Sequence, residues 1–221
     1  MHNVVDKIIS IKKEIQQNIK EMQEINYDPK IVAVSKTFPM SEILPLINEG
    51  HVHFGENKVQ EAIDKWTDVK QNFEHIKLHM IGKLQTNKVK YVIPLFDYIH
   101  SLDNLKLAEK ISKEEEKKRK KTKIFIQINI GNEAKKNGIE IENLENFYDM
   151  CNKEYKLDII GLMCLPPMDK DPGIYFSKMY ELINKINLNE LSMGMSNDYM
   201  EALKYKSTFL RIGSQIFGSR N

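Results

Sequence analysis

The residue types able to do chemistry in this chain gather at the ends of short apolar runs. Ile31-Val32-Ala33-Val34-Ser35 leads straight into Lys36. Apolar residues that are small or β-branched and unbroken by polar ones read as a strand buried on both faces. An amine held at the end of such a strand, out of water, should lose proton affinity, and a neutral amine attacks carbonyls. A surface lysine that opens a loop has the same local sequence, so the rest of the chain must decide between the two. Two further stretches set hydroxyls beside glycine: Ser192-Met193-Gly194-Met195-Ser196 and Arg211-Ile212-Gly213-Ser214. Glycine lets backbone amides approach a ligand, and Ser196-Asn197 can open a helix whose free amides favour an anion. Asn57, His79 and Met163 stand at the ends of other apolar runs. His51 and His53 share one face of an extended segment, but no third ligand accompanies them and no metal site is expected. Cys151 and Cys164 also lack metal-ligand spacing.

The elements that must position these residues alternate. Val4, Ile8, Ile11, Ile15, Ile19 and Met22 form one apolar stripe on a leading helix over 3–25. Asp28-Pro29 ends it. Strands are predicted near 31–35, 51–54, 77–81, 98–100, 123–130, 157–163, 191–193 and 208–212, with Gly55-Glu56-Asn57 as a turn. Helices are predicted between them, from Ser41 to Gly50 with Pro45 in or near the first turn, then over 57–71, 84–92, 102–121, 141–155, 175–186 and 198–206. The second half of the 102–121 helix is almost wholly charged, and Glu114, Glu115 and Glu116 beside the lysines read as a solvated helix end. Strict alternation predicts an α/β fold with a parallel sheet. Eight units in 221 residues fit a single-domain (β/α)8 TIM barrel, with a leading helix over 1–27 and the barrel over 30–218. A doubly wound open sheet competes, but no glycine-rich dinucleotide fingerprint follows any strand.

In a barrel the loops after the strands converge on one rim. Lys36, Asn57, His79, Met163, Ser192, Ser196, Arg211, Gly213 and Ser214 are expected there. The loops after strands seven and eight often hold a phosphate. An amine that reacts with carbonyls, facing a phosphate cup, suits a ligand with an aldehyde at one end and a phosphate at the other, which is pyridoxal 5′-phosphate. Arg211 is placed to point inward at the pyridine nitrogen, or to pair with a carboxylate.

A series of ordered segments carries a resemblance. They are Ala33-Val34-Ser35-Lys36-Thr37, Phe54-Gly55-Glu56-Asn57 with Gln60-Glu61, the stretch His79 to Lys88, Gln127-Ile128-Asn129, Gly161-Leu162-Met163, Leu191 to Ser196, and Arg211 to Gly218. Together they resemble the pyridoxal-phosphate homeostasis protein family, which is itself similar to the N-terminal barrel of alanine racemase. The resemblance implies that Lys36 is the Schiff-base lysine. It also implies that Ser196, Gly213 and Ser214 hold the phosphate, and that Arg211 partners the pyridine nitrogen. Asn57 and His79 match positions near the cofactor, and Ser214 stands where a threonine is common. Two functions follow. One is a carrier that holds the cofactor on Lys36 for vitamin B6 homeostasis. The other is an amino-acid racemase or lyase using Lys36 as base. A fixed positive charge at the ring nitrogen weakens the ring as an electron sink. The sequence is also expected to stop short of the second domain that supplies a tyrosine base in the racemases, so efficient racemisation is not expected. The implied partners are the cofactor itself and apo forms of pyridoxal-phosphate enzymes, with the chain a monomer or weak homodimer.

Composition narrows the classes further. Lys and Arg number 33 against 31 Asp and Glu, a net charge of only +2. The two signs are interspersed, which argues against nucleic acid as a partner. With only two cysteines, no apolar signal core and no stretch long enough to span a membrane, a cytoplasmic protein is expected.

Overall fold

A computed structural model of the chain describes residues 3–24, 26–133 and 137–219. Met1, His2 and Ile25 of the predicted leading segment, and residues 134–136 between the predicted 123–130 strand and 141–155 helix, lie outside the described residues. The strands are β1 (Lys30–Val34), β2 (His53–Glu56), β3 (Lys77–Met80), β4 (Tyr98–Leu102), β5 (Lys123–Ile128), β6 (Asp158–Cys164), β7 (Glu190–Met195) and β8 (Phe209–Ile212). They are parallel and close into a barrel in sequence order, with β1 hydrogen-bonded to β8. The helices are α1 (Asn3–Glu21), α2 (Met40–Asn48), α3 (Val59–Asn72), α4 (Val89–Leu95), α5 (Leu105–Lys118), α6 (Leu144–Asp149), α7 (Pro172–Lys185), α8 (Tyr199–Lys204) and α9 (Ser214–Phe217). The predicted (β/α)8 barrel with an additional N-terminal helix is the observed architecture.

Alternation along the strands sorts the core into two parts. Ile31, Ala33, Phe54, Leu78, Met80, Ile124 and Ile126 join the large cluster packed against the helices. Val32, Tyr98, Phe125, Met163 and Phe209 form a separate buried cluster that fills the barrel. Among the described residues no helix is long and apolar enough to cross a membrane.

Several boundaries differ from the sequence-based expectation. β2 runs two residues later than predicted and takes in Gly55 and Glu56. Gly55 fits because a Cβ there would lie 2.9 Å from Val32 Cγ1, inside the barrel. Glu56 is fully buried, which a turn assignment could not anticipate, because its partners are distant in sequence. α4 continues through Pro94 instead of stopping before it. α5 begins at Leu105 behind the Asn104 cap, whose side chain accepts the Leu107 amide at 2.9 Å. It ends at Arg119, which adopts a left-handed conformation. Its charged end is not simply solvated, since Glu115 is 1% exposed. Glu115 accepts from the Thr122 amide at 2.8 Å and from Lys121 Nζ at 2.9 Å. α7 opens three residues early, on the Asp171 cap and Pro172. Pro45 sits in the second turn of α2.

Candidate functional site

The C-terminal ends of the strands surround a cavity of about 740 Å³, within the usual range for a small-molecule site. Lys36, Asn57, Ser196, Arg211, Gly213 and Ser214 line it together. A shallower depression of about 610 Å³ lies between α3, α4 and α5, on the outer helical layer and away from the strand ends where barrel chemistry is done.

Lys36 follows β1 in a loop pinned on both sides. The Ser35 amide donates to Gly55 O at 3.0 Å, and Ser35 Oγ donates to Glu56 Oε1 at 2.8 Å. Glu56 Oε1 also accepts from Trp66 Nε1 and Lys65 Nζ, each at 3.0 Å. Lys65 further donates to Ser35 O and to Glu61 Oε1, each at 3.0 Å. Glu61 and Lys65 are one turn apart on α3 and so lie side by side. Glu61 Oε1 in turn accepts the amide of Thr37, a non-glycine residue at φ 71°, where L side chains are disfavoured. Burial pushes the Glu61 carboxyl up, but the Thr37 amide and Lys65 outweigh it and hold the carboxyl below its ordinary value. The Phe54–Asn57 and Gln60-Glu61 segments thus serve to fix the residues on either side of Lys36. Phe38 stacks on Phe217 of α9, with ring centroids 5.0 Å apart, and so ties this loop to the one after β8.

Across the rim, the Gly213 amide donates to Ser196 Oγ at 3.2 Å. The Ser196 hydroxyl hydrogen is left to donate elsewhere. Gly194, at φ 85°, lies inside β7 where its register against β8 shifts between Ser192 and Met195. A Cβ on Gly213 would come within 3.3 Å of Val34 Cβ, so the glycine keeps the two strand ends close. Arg211 is buried at 5% exposure. Its Nη1 donates to Ser192 Oγ at 2.6 Å and its Nη2 to Cys164 O at 2.9 Å. Burial lowers the Arg211 pKa, yet a guanidinium stays charged in proteins. The ionisable side chains among the described residues of the wall are Lys36, Lys83 and Arg211, with no carboxylate beside them, so the fixed charge of Arg211 favours an anion.

Six of the nine sequence-predicted site residues meet in the cavity. His79, Met163 and Ser192 do not reach it. Met163 belongs to the plug that fills the barrel. His79 is fully buried beside Tyr98, the rings stacked at 4.2 Å, and Ser192 lies under Arg211. These three sit one layer below the floor. Wall residues outside the expected set include Val34, Ile81 and Gln127. A period of two would have found Val34, Ile81 and Gln127, which are two residues beyond the interior residues Val32, His79 and Phe125. Among the described residues no group of three His, Cys, Asp or Glu side chains is arranged to hold a metal ion.

Asn57 Oδ1 is buried without a hydrogen-bond partner among the described residues. An orphaned acceptor on a cavity wall is satisfied by a ligand donor. The hydroxyls of Ser196 and Ser214 and the guanidinium of Arg211 are donors for an anion, Lys36 brings an amine that can meet a carbonyl, and Asn57 Oδ1 adds an acceptor, a set that fits a phosphorylated carbonyl compound.

The sequence matches the family described as alanine racemase, N-terminal domain, over residues 12–221. The chain belongs to this family. It is 34% identical to a pyridoxal phosphate homeostasis protein of Aquifex aeolicus, over 99% of this chain and 99% of that one. PipY of Synechococcus elongatus, solved with pyridoxal phosphate bound, superposes with a TM-score of 0.79 at 29% identity, covering 92% of this chain and all of PipY. Alanine racemase of Clostridium difficile superposes at 0.70 with 17% identity, over 95% of this chain and 56% of the racemase. That last likeness is one of fold.

Proposed function

We propose that this chain binds pyridoxal 5′-phosphate at the barrel rim, attaches it reversibly through Lys36, and acts in vitamin B6 homeostasis without efficient turnover of amino acids. One observation carries the reading. A single cavity joins an amine-bearing loop, a pair of serine–glycine loops and a buried arginine. The homeostasis name of its relatives and the cofactor in the PipY structure support it. When bound, the cofactor supplies an aldehyde that condenses reversibly with a neutral amine, and a ring that can accept electrons.

The residues divide the work. Lys36 presents the amine from a loop fixed by Glu56, Lys65 and Glu61. Ser196, Gly213 and Ser214 receive the phosphate. Arg211 is the partner for the ring nitrogen. It has five N–H donors, and Ser192 and Cys164 engage two of its nitrogens. Its fixed charge discourages a proton on that nitrogen, which disfavours carbanion chemistry on the ring. This is why holding, rather than racemising, is the activity we assign. Under this reading the chain works in a reducing cytoplasm, where buried free cysteines such as Cys151 and Cys164 persist. It would pass cofactor to apo-enzymes as a monomer or weak homodimer.

Titrating the purified protein with pyridoxal phosphate tests the reading. An absorbance band distinct from the free aldehyde should appear, and Lys36→Ala should lose it. A wild-type protein that forms no such band would overturn the proposal.

A further inference from the structure

Below the cavity floor, a line of polar side chains crosses the barrel, and the proposed function leaves it unexplained. His53 Nδ1 lies 2.9 Å from His79 Nε2. His79 Nδ1 lies 2.9 Å from His100 Nε2. His100 Nδ1 lies 2.8 Å from Ser192 Oγ, which receives Arg211 Nη1 at 2.6 Å. His79, His100 and Ser192 are fully buried. Tyr98 stacks on His79 at 4.2 Å and Phe125 on His100 at 4.3 Å, which fixes the planes of both rings.

The direction of every bond in this line follows from one end. A guanidinium only donates, so Ser192 Oγ accepts from Arg211. The one proton of Ser192 then goes to His100 Nδ1, the acceptor beside it. His100 Nδ1 therefore carries no hydrogen, and its Nε2 donates to His79 Nδ1. By the same step His79 Nε2 donates to His53 Nδ1, and His53 keeps its hydrogen on Nε2. The opposite order would aim both Arg211 and His100 at the Ser192 oxygen and strand a buried hydroxyl hydrogen, which is unfavourable. The far end, His53, also lines a cavity at the opposite mouth of the barrel, between α1 and the starts of β1 and β2.

We propose that Arg211 imposes the Nε2–H tautomer on His100, His79 and His53 in turn, and that Ser192 and these histidines are positioning residues that hold the guanidinium at the cavity. The hydrogen-bond order of the cofactor rim is thereby written across the barrel to its other mouth. The tautomer order stands on geometry alone. The consequence for the cofactor rests on the function proposed above.

The two parts are tested separately. Long-range proton–nitrogen NMR of the full-length apo-protein, labelled at its six histidines and assigned with single His→Gln variants, reads the tautomers. Neutral Nε2–H rings at 53, 79 and 100 near pH 7 are expected. A ring carrying Nδ1–H at any of the three positions overturns the order. The holo-protein then tests the positioning role. Ser192→Ala should weaken pyridoxal phosphate binding about tenfold, roughly one lost hydrogen bond to a charged group, and should shift the cofactor band. Ser192→Thr, which keeps the hydroxyl, should restore both. Unchanged affinity and band in Ser192→Ala overturn the positioning role. Failure of the wild type to bind cofactor would overturn the proposed function and leave the tautomer result intact.

Discussion

Lys65→Met removes the cation that Ser35 O, Glu56 Oε1 and Glu61 Oε1 share at 3.0 Å each. Glu56 is fully buried. Without Lys65 its Oε1 keeps the Ser35 hydroxyl and Trp66 indole, while Oε2 has no partner even in the native protein. Removing one member of a buried ion pair costs about 3–5 kcal/mol. Methionine replaces much of the lysine stem, so a cavity adds little. For a domain of this size the loss corresponds to roughly 6–20 °C in Tm, at about 2–4 °C per kcal/mol. Urea unfolding followed by circular dichroism should show the midpoint falling at constant m. The double variant Glu56→Gln/Lys65→Met eliminates the stranded charge and should recover about 2 kcal/mol or more. Lys65 also grips the carbonyl beside Lys36, so affinity for pyridoxal phosphate should fall along with stability. A loss under about 1 kcal/mol in the single variant, or no recovery in the double, would refute the idea that this buried carboxylate anchors the Lys36 loop.

Acidification acts through the buried histidines. Burial, then Lys12, pulls His51 down to about 3; burial, then Lys30, pulls His53 down to about 4. His79 and His100 lie well below the ordinary value, chiefly through burial. Such groups stay neutral in the fold while the unfolded chain takes up protons below about pH 6.5, so stability is complete above that pH and falls as the folded values are approached. His51 and His53 give a slope on the order of 2 kcal/mol per pH unit between about pH 6 and 4.5, His79 and His100 act in the same direction, and a chain as stable at pH 4.5 as at pH 7 would contradict it. Gly82→Ala should disrupt the site, because a Cβ there would lie 2.3 Å from Asn57 O; cofactor affinity falling by about tenfold or more is expected, and unchanged affinity would count against Asn57 as a wall of the site. Holo-protein incubated with L-alanine in deuterated water should exchange Cα hydrogen slowly if at all, whereas exchange at ordinary enzymatic rates, about 1 per second or faster, would favour a racemase or lyase.

The barrel was legible because its signals are local. Unbroken apolar runs such as Ile31–Val34 and Ile124–Ile126 mark buried parallel strands. The chemistry-bearing residues at their ends, Lys36 and Arg211 with Gly213 and Ser214, fall on one rim by topology alone. What escaped depends on contacts far apart in sequence. Glu56 was read as a turn because nothing nearby announces Trp66 and Lys65 as its partners. His79, Met163 and Ser192 read as rim residues because proximity to a strand end does not tell the top layer of a barrel from the one beneath it. Counting by twos from Val32 makes that distinction, and it separates the cavity wall from the histidine line under it.

The central claim is that Lys36 is the point of attachment. Borohydride reduction of the protein loaded with pyridoxal phosphate, followed by peptide mass mapping, tests it most directly. One stable phosphopyridoxyl modification is expected on the peptide containing Lys36, absent in Lys36→Ala. Modification at another lysine, such as Lys83, with Lys36 left unmodified, would contradict it.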